Sequence, residues 1–381
     1  MAGLYLHIPF CKQACYYCDF HFSTDNKYRI DLVKAMVKEL TLQKEYLPGR
    51  VMETVYLGGG TPSILAFGEL KQLCVSIHEN FTITTDAEIT LEANPDDLQP
   101  EKLEELKSVG INRLSIGIQT FDDRLLEFLH RAHTGEEAQQ SVLDARRSGF
   151  DNISIDLIYG IPGLTNEYWK ETIRKALVLS PEHVSAYALT VEERTVFGHQ
   201  LKKGKFPLTD EETVAQQFEI LMDEMDTAGY HHYEISNFCK PGRMAVHNSN
   251  YWKREHYLGI GPSAHSYRGD SRQFNVKNNA LYIRSIEQGT LPFEKETLSR
   301  EDQINDYILT SLRTSWGLNT QTLLEEWKDD LWMRASAQLR PLIDAGMIEI
   351  ADHILRLTRK GKLLADKITE DLMLVTDRQT N

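Results

Sequence analysis

Six short β-rich runs alternate with amphipathic helical stretches through the first half of the chain, and this alternation restricts its fold more than any other feature. The runs cover residues 4–8, 54–57, 88–92, 113–118, 153–158 and 184–188. Helical patterns at 30–42, 67–77, 103–109 and 138–147 lie between them, the second carrying Phe67, Leu70, Cys74 and Ile77 at helical spacing. Repeated strand–helix units predict a parallel sheet covered by helices. Periodicity alone does not separate an open doubly wound sheet from a barrel. The placement of polar residues favours a barrel: Cys11, the glycines at 58–60, Glu92, Gln119 and Asp156 all fall at or just past the C-terminal ends of predicted strands. A barrel gathers such groups at one mouth, where all its strands end. Six units in place of eight predict an α/β fold built on a partial (β/α)6 TIM-like barrel with a lateral opening.

The second half reads differently. Residues 190–210 are charged and contain Gly198, Gly204 and Pro207, which predicts a loop. A helix is expected over 211–227, stopped by Gly229. Residues 230–267 are aromatic, rich in histidine and broken by glycine and proline, and so predict ordered non-repetitive structure with a short strand at 233–235. Helical patterns near 303–313, 320–328 and 334–345 precede short runs at 347–350 and 354–357, a turn at Asp352 and His353, and a last helix from Arg359. Helices followed by a two-stranded hairpin resemble a winged-helix α+β domain. The expected divisions are a barrel core at 1–210, an extension at 211–300 and the smaller domain at 301–381. That last segment holds 14 acidic against 10 basic residues. A nucleic-acid reader needs a basic footprint, so none is expected as partner.

At 381 residues the chain can build one large core and a second, smaller one. Its net charge of −14 argues against a polyphosphate partner held on a broad basic face. Five cysteines make an odd set, and three are crowded near one end. A disulfide framework would spread an even set, so reduced thiols in the cytosol are expected. Residues 4–10 are apolar but too few for a signal peptide, and no window approaches the roughly 20 apolar residues of a membrane span. The expected setting is cytoplasmic, with membrane approach only through a partner.

Cys11, Cys15 and Cys18 form C-x3-C-x2-C directly after the first strand. Thiolates are soft ligands suited to iron–sulfur clusters or zinc. A structural zinc knuckle needs a fourth ligand, which His7 or His21 can supply. A four-iron cluster held by three cysteines instead keeps one iron open. Gly58-Gly59-Gly60-Thr61-Pro62 follows the second strand without a phosphate-loop or dinucleotide pattern, so it is either a tight turn or a loop that lets backbone approach a ligand. Cys74 belongs to an apolar helical stripe. Cys239 is expected in a loop, and Glu325 and Glu326 diverge on an exposed helix face.

The cysteine spacing, with Tyr17 before the last cysteine, resembles the radical S-adenosylmethionine (SAM) superfamily. Tyr5-Leu6-His7-Ile8-Pro9-Phe10-Cys11, Tyr56-Leu57-Gly58-Gly59-Gly60-Thr61-Pro62 and Ser115-Ile116-Gly117-Ile118-Gln119 resemble the anaerobic coproporphyrinogen III oxidase-like family within it. Asp156-Leu157-Ile158-Tyr159-Gly160-Ile161-Pro162-Gly163 and Gly259-Ile260-Gly261-Pro262-Ser263-Ala264 extend the resemblance over nearly the whole chain. It implies a [4Fe-4S] cluster on Cys11, Cys15 and Cys18, and SAM bound at Tyr5, Tyr17, Gly58, Gly59, Gly60, Thr61, Glu92, Gln119, Arg131 and Asp156. In that reading Glu92 pairs with the methionyl ammonium or fixes a neighbouring arginine, Gln119 bonds the ribose or methionyl part, Arg131 pairs with the carboxylate, and Asp156 accepts from ribose. The chemistry implied is one-electron cleavage of SAM to methionine and a 5′-deoxyadenosyl radical, supplied by a flavodoxin or ferredoxin-like donor.

Two branches of the family differ at one diagnostic place. The oxidase has a fourth cysteine two residues after the third cluster ligand and an extension before the first strand; this chain has Phe20 there, and its first strand begins by about residue 4. Phe20 matches the HemW branch of haem chaperones, which implies haem and an acceptor haemoprotein as partners. His247-Asn248-Ser249-Asn250-Tyr251-Trp252 resembles the H-N-x-x-Y-W signature of that branch and implies haem contact by His247, Asn248, Tyr251 and Trp252. Read from the residues alone, the segment is more readily a polar turn with a buried aromatic pair, and His231, His232, His256 and His265 are neighbouring candidates for the iron. The alternatives left open are SAM-dependent decarboxylation of coproporphyrinogen III and a zinc-stabilised interaction protein.

Overall fold

The computed structural model describes residues 2–374, so the last residues of the 301–381 segment lie outside it. Six parallel strands form its centre: β1 (Ala2–Ile8), β2 (Val51–Gly59), β3 (Thr82–Ala93), β4 (Arg113–Gln119), β5 (Ile153–Tyr159) and β6 (His183–Ala188). They pair in sequence order, with β1 and β6 unpaired to one another, so the barrel stays open. Helices Arg29–Leu42, Phe67–Asn80, Pro100–Ser108, Gly135–Arg147 and Asn166–Val178 cover the outside. On β1, Leu4, Leu6 and Ile8 are fully buried in the core shared with Leu32 and Met36 of the first helix. The alternate positions Tyr5 and His7 face the other way, because side chains two apart share one face of a strand.

The sheet does not stop at six strands. β7 (His231–Glu234) and β8 (Asn237–Cys239) extend it antiparallel beyond β6. On the opposite edge β9 (His256–Ile260) pairs parallel with β1, followed by antiparallel β10 (His265–Tyr267), β11 (Ser271–Asn275) and β12 (Phe293–Thr297). The expectation of non-repetitive structure over 230–267 is therefore corrected. Strands of three to five residues carry little periodicity of their own, and pairing with an exposed edge makes them strands. Cys239 likewise ends a buried strand and does not lie in a loop. The expected loop at 190–210 contains a helix, Val196–Lys202, whose first turn is capped by the Thr195 hydroxyl. The helix Glu211–Thr227 has the expected ends, its start set by the Asp210 cap.

The C-terminal part forms a smaller α+β unit with its own apolar core, including Ile304, Ile308, Leu323, Leu339 and Leu355. Helices Arg300–Leu312, Thr320–Trp327 and Leu331–Asp344 pack on a sheet of β13 (Leu318–Asn319), β14 (Ile348–Ala351) and β15 (Ile354–Leu357). Among the described residues no helix is long and apolar enough to cross a membrane.

Candidate functional site

The cysteine-bearing loop is tied down at its neck and along its length. Pro9 and Cys11 both bond through their backbone to Ser23, at 2.9 and 3.1 Å, closing residues 11–23 into a ring. Across that ring the Tyr16 N–H donates to the Leu129 carbonyl at 3.2 Å, and the Phe197 N–H donates to the Tyr16 carbonyl at 3.0 Å. His130 donates from Nδ1 to the Ala14 carbonyl at 2.7 Å and stacks on Tyr16 at 4.3 Å. Lys12 pairs with Asp96 and Asp97 after β3. A loop with so many anchors is pre-organised for a ligand.

Gly59 and Gly60 make the neck feasible. Gly59 has φ +106°, and a Cβ on Gly60 would stand 2.8 Å from the carbonyls of Ile8 and Phe10. Without side chains there, the end of β2 lies flush on the segment that launches the cysteines, donating from Gly60 to Ile8 and from Thr61 to Phe10. A continuous hydrogen-bond chain then joins two of the sulfurs. Arg131 Nη1 donates to Cys15 Sγ at 3.2 Å and Nη2 to Asn94 Oδ1 at 2.7 Å; Asn94 Nδ2 donates to Thr61 Oγ1 at 3.3 Å, and Thr61 donates to Cys11 Sγ at 3.4 Å. Asn94 was not among the expected site residues; its place two beyond Glu92 at a strand end was the available signal. Tyr17 lies against Cys15 and Arg131.

Burial pushes the Cys11 thiol up to about 11 and the Cys18 thiol up to about 12. Both are neutral at pH 7 until a cation meets them, which is the behaviour expected of a soft donor set before loading. Among the described residues no group of three Cys, His, Asp or Glu is arrayed as a ready metal-holding set. The sulfurs nevertheless act on one another, since Cys15 and Cys11 both help raise Cys18. Three such thiols fit an iron–sulfur cluster in donor type, and no further cysteine joins them: Cys74 and Cys239 are buried elsewhere, each pushed up to about 11 by burial.

The barrel interior is polar where a barrel is ordinarily filled with apolar layers. Glu92 accepts from the Tyr56 hydroxyl at 2.7 Å and from the Gly59 N–H at 3.0 Å. Burial raises its carboxyl to about 7, with the neighbouring Asp156 adding to the shift. Asp156 is itself raised to about 6, chiefly by burial. Among the described residues neither carboxylate makes a salt bridge, although Arg113 and Arg131 act on Asp156 from nearby, and Glu92 in particular offers a place for a cation. Gln119 ends β4 at φ +68°, a strained conformation for a side chain of this kind. Gly58, Glu92 and Gln119 lie at the ends of neighbouring strands and Asp156 within the next strand, while Arg131 lies in the loop between helices Asp123–Phe128 and Gly135–Arg147; Tyr5 stacks on Tyr56 at 6.1 Å.

The segment expected to touch haem is a short helix, Val246–Trp252, and not a turn. Its N-terminus is capped from outside: both Glu88 carboxylate oxygens accept, at 2.9 Å, from the Val246 and His247 N–H groups. His247 is buried, with Nδ1 bonded to Thr54 and Nε2 to the Tyr251 hydroxyl, each at 2.8 Å. Burial lowers its imidazole to about 3, so it is neutral. Asn248 is half-buried, and Trp252 lies under the Arg313 guanidinium at 5.4 Å. Of the four, Tyr251 lines a cavity. That cavity, about 500 Å³, also has Tyr5 in its wall, which places it next to Glu92 and the other strand ends.

Residues 5–176 match the family described as the radical SAM superfamily, and 298–364 match the HemN C-terminal domain. The chain is 38% identical over 378 residues to the haem chaperone HemW of Bacillus subtilis strain 168, covering 97% of this chain and 98% of that protein. It is 35% identical to HemW of Lactococcus lactis, covering 97% of each. The coproporphyrinogen III oxidase HemN of Escherichia coli, described as a radical SAM enzyme, superposes with a TM-score of 0.84 at 25% identity, covering 98% of this chain and 90% of that one. Identity of this extent over nearly full length decides membership: the chain belongs to the radical SAM superfamily and, within it, to the HemW family.

Proposed function

We propose that this protein binds haem and passes it to an acceptor haemoprotein, using a fold that also holds a [4Fe-4S] cluster and SAM. The observation that carries this reading is an aromatic cavity of about 500 Å³ beside the polar strand ends, in a chain alike over 97% of its length to a protein named a haem chaperone. Cys11, Cys15 and Cys18 would hold the cluster, and Glu92, Gln119, Arg131 and Asp156 would orient SAM. When bound, these two groups supply one-electron reductive chemistry. The chain's own part is to hold the loop rigid, keep the interior carboxylates dry and set their charge. Titrating reconstituted protein with haem should give saturable binding with a shifted Soret band; the absence of saturation would reject the reading.

Glu92 makes this testable by pH. A carboxyl raised to about 7 is mostly neutral at pH 6 and mostly ionised at pH 8. Only the ionised form pairs with an ammonium, so SAM affinity should be about tenfold weaker at pH 6 than at pH 8. Glu92→Gln should weaken binding and flatten the profile. Calorimetry on the cluster-loaded protein checks this, and a flat profile in the unaltered chain would remove Glu92 from that role.

The structural likeness to the oxidase HemN favours a second reading, oxidative decarboxylation of coproporphyrinogen III. Reduced, loaded protein given SAM and coproporphyrinogen III would then yield a decarboxylated product.

A further inference from the structure

We propose that the cavity between the β1–β9–β10–β11 face and helix Arg300–Leu312 is the seat of the iron porphyrin, with His265 as its iron ligand and Lys277 and Arg254 as partners of its carboxylates. This rests on the haem reading above and names a site for it.

The walls have the shape of a slot. Tyr257 of β9 is paired in register with Tyr267 of β10, and Tyr267 with Arg272 of β11. The three side chains therefore run in a row across one sheet face. The Tyr257 and Tyr267 rings lie 6.2 Å apart at 30°, and Tyr251 meets Tyr257 edge-on at 4.6 Å. Helix Arg300–Leu312 closes the other side with Asp306, Leu309 and Thr310. A slab of aromatic surface facing a helix suits a flat conjugated ligand, and about 500 Å³ lies within the range of small-molecule pockets. Phe20, 72% exposed, stands in the same wall. The residue that separates the two branches of the family thus borders this cavity.

Four histidines come into question, and their hydrogen bonds separate them. His247 is buried with both nitrogens engaged. His7 is also spent: Nε2 donates to the His21 carbonyl at 2.9 Å, and Nδ1 accepts from the Tyr5 hydroxyl at 3.1 Å. His21 donates from Nε2 to Asn279 Oδ1 at 2.8 Å. The His265 ring is exposed, makes no hydrogen bond among the described residues, and is steadied by Phe274, edge-on at 4.8 Å. Partial burial, with Arg272 and Lys277 nearby, keeps it below the ordinary imidazole value. It offers a neutral lone pair, as an axial ligand must.

Charge points to an anion. The chain carries −14 overall, yet Arg254, Arg272 and Lys277 all line this one cavity. Asp306 is occupied by Arg272, leaving Asp19 as the other acidic residue of the wall. Lys277 has no ion pair or hydrogen bond among the described residues. The Arg254 guanidinium rests on Trp327 and Tyr307, at 4.8 and 5.4 Å, with its Nε buried and unpartnered. Asp306 acts on Arg254 as well as Arg272, but neither Arg254 nor Lys277 makes an ion pair among the described residues; two such cations beside an aromatic slot match a planar dicarboxylate.

Haemin and iron-free protoporphyrin IX separate the two parts of the assignment. His265→Ala should weaken haemin about tenfold and abolish the histidine-ligated Soret signature, while protoporphyrin binding stays within about twofold. Lys277→Glu and Arg254→Gln should each weaken both porphyrins about tenfold. Melting curves establish that the variants are folded, and Lys277, being exposed, is the safer of the two. A Soret signature unchanged in His265→Ala, or lost in His21→Ala alone, would overturn the ligand. Unchanged binding in both cation variants would overturn the seat while the haem reading stands. Absence of haemin binding by the unaltered protein would remove both together.

Discussion

Alanine at Cys11, Cys15 or Cys18 is expected to leave anaerobically reconstituted protein with less than about one iron per chain, against about four in the unaltered protein. The three sulfurs share one loop closed at Ser23, and two are joined through Arg131, Asn94 and Thr61. Removing one would leave two donors for the proposed four-iron cluster, in which three cysteines already leave one iron without a protein ligand. The same change at Cys74 or Cys239 should leave the iron content intact, since both are buried away from the loop. Iron and sulfide analysis with the visible spectrum reads the result. One zinc per chain with no sulfide would instead favour a structural knuckle, and iron retained in all three variants would dismiss the cluster assignment.

The largest effect expected on stability comes from a residue outside the chemistry. Glu39 is fully buried on the first helix and accepts from the Gly261 N–H at 2.8 Å, Asn275 Nδ2 at 2.7 Å, Gln43 Nε2 at 3.0 Å and the Tyr282 hydroxyl. These donors belong to the turn after β9, to β11, to the first helix region and to helix Asn279–Glu287. One carboxylate therefore fastens the added strands to the barrel. Glu39→Ala strands all four donors in the interior and should cost about 3–5 kcal/mol. Glu39→Gln keeps one acceptor oxygen in place and should cost less. Urea unfolding followed by intrinsic fluorescence compares them, and an alanine variant within about 1 kcal/mol of the unaltered chain would contradict this account. The strands at stake, β9 to β11, form the aromatic face of the cavity, so haem binding should weaken alongside stability.

Glu39 also shows where sequence reading ends. On a helix pattern it is one more charged residue, with nothing to mark it as buried. The six barrel strands were legible because each is a run of β-formers bounded by turn residues, and the helix Glu211–Thr227 because Asp210 and Gly229 punctuate it. The cysteines, the glycine turn and the strand-end polar residues were legible through their spacing. By contrast, β8 to β10 were not expected as sheet, and β7 only as a short strand at 233–235, because strands of three to five residues owe their pairing to edges supplied from β1 and β6. His247 was chosen by its motif, and the motif says nothing of Thr54 and Tyr251 taking up both its nitrogens.

The sequence by itself determined the repeating strand–helix architecture, the loop carrying three sulfurs and the family, because periodicity, turn chemistry and ligand spacing are local and survive in one dimension. Only the tertiary structure decided which histidine is free, which cations make no ion pair and where an aromatic slot opens. Those properties depend on hydrogen bonds and burial between residues far apart in the chain, such as Thr54 with His247 and Glu39 with Tyr282. Folding brings such partners together, and no pattern along the chain records which of them meet.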